Sequence, residues 1–354
     1  MDPIPPRMTT AAVWTGSGVD VRDVPVPELH AGEVLVRVRL ATVCGSDLHT
    51  VMGRRSAACP SVLGHEAVGD VVATGPDTDA QVGQRVIWSV TVACGSCSRC
   101  RSGLTAKCLS VRKVGHEPFD GDWPLSGSYA AHVVLPRGTT IAVVPDTLPD
   151  AVAAPAACAT ATVMATLEAA GELTGRRVLI GGAGMLGLTA VAACAAAGAD
   201  VQVVDRNADR MELVTRFGGH TTDGGPVDVA IDYTGSCAAV ADALGRLDIG
   251  GTLVLAGSVT PGPSLAVDPE TVVRRWLTIT GVHNYEPRHL HRAVKFLDET
   301  REHHPWEALV VAPVELRQIA SALNPPPAGK LRTAICPYYA ESWLVYEFLA
   351  KSRA

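Results

Sequence analysis

Between Glu33 and Val43 the chain reads EVLVRVRLATV, with apolar and basic side chains changing places residue by residue through its middle. A period of two is what a strand with one sheltered face requires. Gly and Pro recur at short intervals through residue 150, which predicts a β-rich first part broken by turns. After Arg176 the pattern changes. VLI (178–180) is followed by an Ala-rich stretch and then by VQVV (201–204). Further apolar runs of strand length lie in VDVAIDYTGS (227–236), GGTLVLAGSV (250–259) and LTITGVHNY (277–285). Strands alternating with helices predict an α/β, doubly wound parallel sheet. HTTDGGP (220–226) is shorter than the crossover helix of about ten residues that such a unit needs, so one unit is expected as a remnant.

With 354 residues the chain has room for two domains, and 47 % hydrophobic with 19 % charged residues is a globular balance. A formal charge of −6 and no Lys/Arg cluster give no footprint for nucleic acid. The most apolar stretch, LGLTAVAACAAAGADVQVV, contains two glycines and an Asp, which predicts a buried helix and strand and no membrane span. MDPIPPRMTTAAVW lacks the apolar stretch of a secretory signal, so the expected compartment is the cytoplasm. Thiols stay reduced there, and disulfides are a poor first explanation for the ten cysteines.

Four of them fall in CGSCSRCRSGLTAKC as C-x2-C-x2-C-x7-C: Cys94, Cys97, Cys100 and Cys108. Close spacing in a glycine-containing loop lets thiolates converge on one tetrahedral ion. A zinc held by four sulfurs has no open position and is structural; an iron–sulfur cluster and unrelated thiols are the competing readings. Upstream, VCGSDLHTVMGRRSAACPSVLGHEAVG offers a mixed S/N/O set in Cys44, Asp47, His49, His65 and Glu66, and Cys158 lies further on in PAACATATVMATLEAAG. Catalytic zinc takes three protein ligands and leaves one exchangeable position. Read alone, Cys158 fits a buried core thiol better than a ligand, and His65 fits a core histidine; only their combination points to a metal.

Residues 176–205 also carry Gly182, Gly184 and Gly187 in G-x-G-x-x-G register between the strand and a helix opened by Met185 and Leu186. The first glycine permits the turn, the second admits a pyrophosphate, the third lets helix pack on strand, and the helix N-terminus offers free N–H groups. Asp205 ends the next strand, where a carboxylate accepts from ribose hydroxyls and repels a 2′-phosphate. NAD is therefore expected over NADP, with the neighbouring Arg206 weakening the preference.

VCGSDLH, GHEAVG, the four-cysteine lobe, GGAGMLG with Asp205 and a late GKLRT resemble, in kind and order, the zinc-dependent medium-chain alcohol dehydrogenase superfamily. The resemblance implies a GroES-like catalytic domain over 1–156, a Rossmann domain over 157–283, and a return to the catalytic domain with a C-terminal tail over 284–354. It implies about two zinc ions per chain, one of them structural and one catalytic, the latter on Cys44, His65 and Cys158 with Glu66 approaching or exchanging onto the metal. Asp47 would hydrogen-bond a ligating imidazole. Ser46 would bond the substrate oxygen and pass its proton towards solvent, with His49 as the outer relay. Arg210 would sit near the adenosine ribose and Arg332 at the cofactor phosphates; without the resemblance both read as well as surface arginines. The implied reaction is reversible hydride transfer between a small alcohol and NAD, in a homodimer or homotetramer.

SVRKVGHE, GDWPLSGSYAAH and GVHNYEP are similar to a subgroup associated with phosphonate metabolism. Arg54-Arg55 fits it, since guanidinium forks suit phosphonate oxygens, although a solvated loop pair is the simpler reading; Lys113 and His116 are lesser candidates. A sorbitol- or cyclitol-type polyol dehydrogenase and a non-catalytic NAD-binding protein are the alternatives. The tail after Cys336 has apolar pairs Leu344/Phe348 and Val345/Leu349 at helical spacing, which predicts a packed helix.

Overall fold

The computed structural model describes residues 6–338. The tail helix expected around Leu344–Leu349 lies outside the described residues. Two compact units share the chain: one runs through Cys158 and resumes at Val310–Pro326 and from Arg332, the other comprises Ala159–Leu309 and Pro327–Leu331.

The first unit is built on the run met at the start of the sequence. Val34–Thr42 pairs antiparallel with Glu66–Thr74 and with His132–Leu135, and Ala334–Cys336 adds to it from the far end of the chain. The strand is sheltered on both faces, beyond what its alternation predicts, because its basic residues are paired. Arg37 bonds Asp70, its cross-strand partner, at 2.7 Å, and Arg39 bonds Asp150 at 2.8 Å. A smaller sheet of Val19–Pro25, Met8–Trp14 and Ser61–Val62 lies in the same unit, and their apolar residues share one core with Trp88, Trp123 and Tyr129.

The second unit is a six-stranded parallel sheet. Its order is His220–Thr221, Asp200–Val204, Arg177–Gly181, Val227–Asp232, Leu247–Leu255 and Thr278–Gly281, reversing direction of growth at Arg177–Gly181 as a doubly wound sheet does. The remnant unit is there: His220–Thr221 is a two-residue strand, joined to Val227–Asp232 with no helix between. Met185–Ala196 is helical because Ala-rich sequence favours it, and its side chains are nearly all buried.

The return to the first unit falls at Val310, not at residue 284. Pro287–Thr300 carries Leu290, Ala293, Val294 and Leu297 on one buried face and packs against Ala159–Ala170 in the second unit. Glu168 fastens it there, accepting from Arg288 at 2.5 Å, His289 at 3.1 Å and Arg292 at 3.0 Å. Phe217 and Trp306, ring centroids 5.0 Å apart, hold the following segment to the same unit.

Candidate metal centres and dinucleotide site

Cys44 follows the strand Val34–Thr42 and caps the short helix Gly45–Val51, with Asp47 returning a carboxylate oxygen to the Cys44 amide at 3.1 Å. His65 comes straight after Gly64, whose φ of +93° turns the chain into the strand Glu66–Thr74. Cys158 sits between the short turn Ala154–Ala157 and the helix Ala159–Ala170. Together they bring two thiols and an imidazole within 4.8 Å of one another, with the sulfurs 4.0 Å apart. Two sulfurs sharing a tetrahedral zinc at 2.3 Å stand roughly 3.8 Å apart, whereas a disulfide needs about 2.05 Å, so the spacing suits an ion and not a bridge. Nδ1 of His65 faces Asp47 Oδ1 at 3.3 Å, without the alignment of a good hydrogen bond, and Nε2 lies 3.3 Å from the Ser46 hydroxyl. Three donors and no fourth among the described residues fit a metal with one open position.

Charge is arranged accordingly. Cys44 is held well below an ordinary thiol, mainly by the hydrogen bond with Cys158 and further by the Arg332 charge, against burial. His65 is raised although its burial alone lowers it, because the Asp47 and Cys44 charges prevail. Glu66 is wholly buried beside them, and burial pushes its carboxyl up to about 7 against the pull of Arg332. Thr42 Oγ1 donates to that carboxylate at 2.8 Å.

The four-sulfur lobe also converges: Cys94, Cys97, Cys100 and Cys108 place their sulfurs within 4.8 Å, with 3.5 Å between Cys97 and Cys100 and 3.9 Å between Cys97 and Cys108. These are again spacings for thiolates around one ion. All ten cysteines are free.

In the second unit the three glycines differ in their surroundings. Gly182 has φ +95°; a Cβ on Gly187 would lie 1.7 Å from the Gly182 oxygen; one on Gly184 would meet nothing nearer than Arg210 Nη1 at 3.9 Å. Gly184 thus leaves space at the start of the helix Met185–Ala196. Asp205 accepts from the Ala183 amide at 2.7 Å and stands 3.9 Å from Arg210, while Arg206 is exposed.

Arg332, expected at cofactor phosphates, is 6 % exposed and bonded to Glu66 through Nε and Nη2. His49 is exposed on the helix of Ser46, and its carbonyl accepts the amides of Arg54 and Arg55, which leave the helix end. His116 stands with its ring centroid 5.4 Å from that of His65, its Nδ1 spent on the Val114 carbonyl at 2.7 Å. Sequence reasoning missed Thr42 on Glu66, Tyr129 on Asp47, and Asp232, which is 2 % exposed and ties down the Thr234–Gly235 turn at the end of its strand. Each was visible only as a polar group inside an apolar run.

A sheltered three-donor cluster in a β-rich unit and a glycine turn on a parallel sheet are features that zinc-dependent dehydrogenases carry. Residues 30–146 match the alcohol dehydrogenase GroES-like domain and residues 186–299 the zinc-binding dehydrogenase domain. The L-threonine 3-dehydrogenase of Aeromonas salmonicida is 31 % identical over 297 residues, covering 76 % of this chain and 82 % of its own. Among solved structures, a candidate zinc-binding dehydrogenase of Sinorhizobium meliloti bound to NADP has a TM-score of 0.83 at 26 % identity, covering 93 % of this chain and 99 % of that one. A cobalt- and zinc-bound alcohol dehydrogenase of Pyrobaculum aerophilum has a TM-score of 0.80 at 25 % identity, covering 93 % and 100 %. The chain belongs to the zinc-dependent medium-chain dehydrogenase superfamily. Among the described residues no single helix is long and apolar enough to cross a membrane.

Proposed function

We propose that the protein is a zinc-dependent NAD(H) alcohol dehydrogenase that interconverts a small alcohol and its aldehyde or ketone. The observation that carries this reading is the convergence of Cys44, His65 and Cys158, three donors and not four, beside the Ser46 hydroxyl. A zinc ion held there supplies Lewis acidity to the substrate oxygen, and the dinucleotide supplies the hydride acceptor or donor. Ser46 Oγ takes the proton of the substrate hydroxyl and passes it outward to His49, three residues on along the same helix and open to water. Asp47 orients the His65 imidazole, and Arg332 balances the buried Glu66 charge. Cys94, Cys97, Cys100 and Cys108 hold a second, closed zinc that stabilises the lobe. Asp205 accepts from the ribose hydroxyls and favours NAD over NADP.

Within this class we favour a substrate with an anionic group such as a phosphonate. Arg54 and Arg55 have no ion-pair partner among the described residues. Lys113 is lowered by burial and then by the charges of Arg55 and Lys107; burial, the His65 charge and Arg55 push His116 down to about 4. Arg55 is thus near enough for its charge to act on both Lys113 and His116, which puts a cation on that side of the site.

The test follows NADH and NADPH absorbance across phosphonate, polyol, amino and simple alcohols and their carbonyl products. Turnover of a phosphonate alcohol that falls far more in the Arg54→Ala/Arg55→Ala protein than turnover of its uncharged analogue supports the substrate reading. Equal losses, or preference for a polyol, contradict it; no turnover with any substrate contradicts the dehydrogenase itself.

A further inference from the structure

Tyr129 touches both residues that determine how His65 is presented. Its hydroxyl donates to Asp47 Oδ2 at 2.9 Å, and Asp47 Oδ1 is the atom facing His65 Nδ1 at 3.3 Å. Its ring lies over Gly64, the residue before His65: a Cβ on Gly64 would come within 2.6 Å of Tyr129 Cδ1. The backbone around the ring grips the same loop. Tyr129 N donates to the Leu63 carbonyl and Ser128 N to that of Gly64, both at 3.0 Å. Gly127 lies so close to Val62 and Leu63 that a Cβ would meet their carbonyl oxygens at 2.0 and 2.4 Å.

Tyr129 is 1 % and Asp47 2 % exposed. A carboxylate taken out of water needs its lone pairs bonded, and Asp47 Oδ2 has two donors, the Tyr129 hydroxyl and the Cys44 amide at 3.1 Å. Phenylalanine in place of Tyr129 would keep the packing on Gly64 and leave that oxygen with the amide alone. We infer that Tyr129 is a positioning residue of the three-donor site: its hydroxyl fixes the Asp47 carboxylate, its ring fixes the Gly64–His65 backbone, and Nε2 of His65 is thereby held towards the metal. The inference rests on the reading of Cys44, His65 and Cys158 as zinc ligands.

Zinc release from the purified holoprotein into a colorimetric chelator, followed in time, tests it. The four-sulfur cage serves as an internal control, and a Cys97→Ser protein identifies which phase belongs to which site. In Tyr129→Phe the three-donor phase should speed up about tenfold, the low end of the effect of partners outside the ligand shell, while the cage phase stays put. Cobalt placed in the three-donor site should show shifted thiolate charge-transfer and d–d bands. In an Asp47→Asn background the same substitution should add nothing. No change in the three-donor phase, equal acceleration of both phases, or loss of both metals makes Tyr129 a packing residue only and overturns the inference. A wild-type protein that releases a single zinc defeats the ligand reading itself; two zincs with an unresponsive Tyr129→Phe defeat only the role of Tyr129.

Discussion

Arg332 and Glu66 meet in a two-pronged ion pair, Nε to Oε2 at 2.8 Å and Nη2 to Oε1 at 2.9 Å, across 266 residues of sequence. The pair binds Arg332 to the strand that follows His65, and Arg332 Nη2 also approaches Cys44 Sγ at 3.9 Å. A buried ion pair gains little over well-packed apolar groups, but removing one partner strands the other charge. Arg332→Met is expected to lower stability by about 3–5 kcal/mol, and adding Glu66→Gln should restore a good part of it. Urea unfolding of the single and double variants measures this; a loss near that of a surface pair, under about 1 kcal/mol, would contradict it.

Gly184 and Gly187 are expected to fail in different ways. Gly187→Ala drives a methyl into the Gly182 carbonyl, so the second unit should lose stability by at least the 1–3 kcal/mol, roughly, of an overpacked core. At Gly184 there is space, and Gly184→Val should leave the melting temperature nearly unchanged while NADH binding weakens roughly tenfold or more, about 1.4 kcal/mol. Paired thermal melts and NADH fluorescence titrations separate the two; unaltered NADH binding in Gly184→Val would remove that glycine from the phosphate site.

Glu168 gives the second unit a signature in acid. Its carboxyl is held down to about 2, first by the hydrogen bond from Arg288 and then, against burial, by His289. A carboxyl depressed in the folded state stabilises fully above its unfolded pKa of roughly 4.5 and loses that contribution as pH falls towards 2. Because the side chain is 39 % exposed, solvent screening keeps the amount under about 1 kcal/mol. Wild type should therefore exceed Glu168→Gln in urea midpoint at pH 7, with the gap closing towards pH 3. A gap that widens on acidification would contradict the assignment.

Local pattern carried much of this structure. The period-two run at Glu33–Val43, the strand–glycine–helix–strand order at 177–204 and the cysteine spacing each report on neighbours close in sequence, and each appears where the pattern put it. What was illegible depends on partners far away. The partial burial of Arg37 and Arg39 needs Asp70 and Asp150, 33 and 111 residues on. Which unit the helix Pro287–Thr300 joins depends on Glu168, 120 residues from Arg288. The hydroxyl of Tyr129 finds Asp47 across 82 residues. Arg332 likewise finds Glu66 across 266 residues, a pairing that no local pattern announces.

Metal content decides whether Cys44, His65 and Cys158 hold an ion of their own. Purified protein should hold about two zinc ions per chain, and Cys44→Ala and Cys97→Ser should each hold about one, lost from different sites. A single zinc in wild type that persists unchanged in Cys44→Ala would contradict the three-donor site and the dehydrogenase built on it.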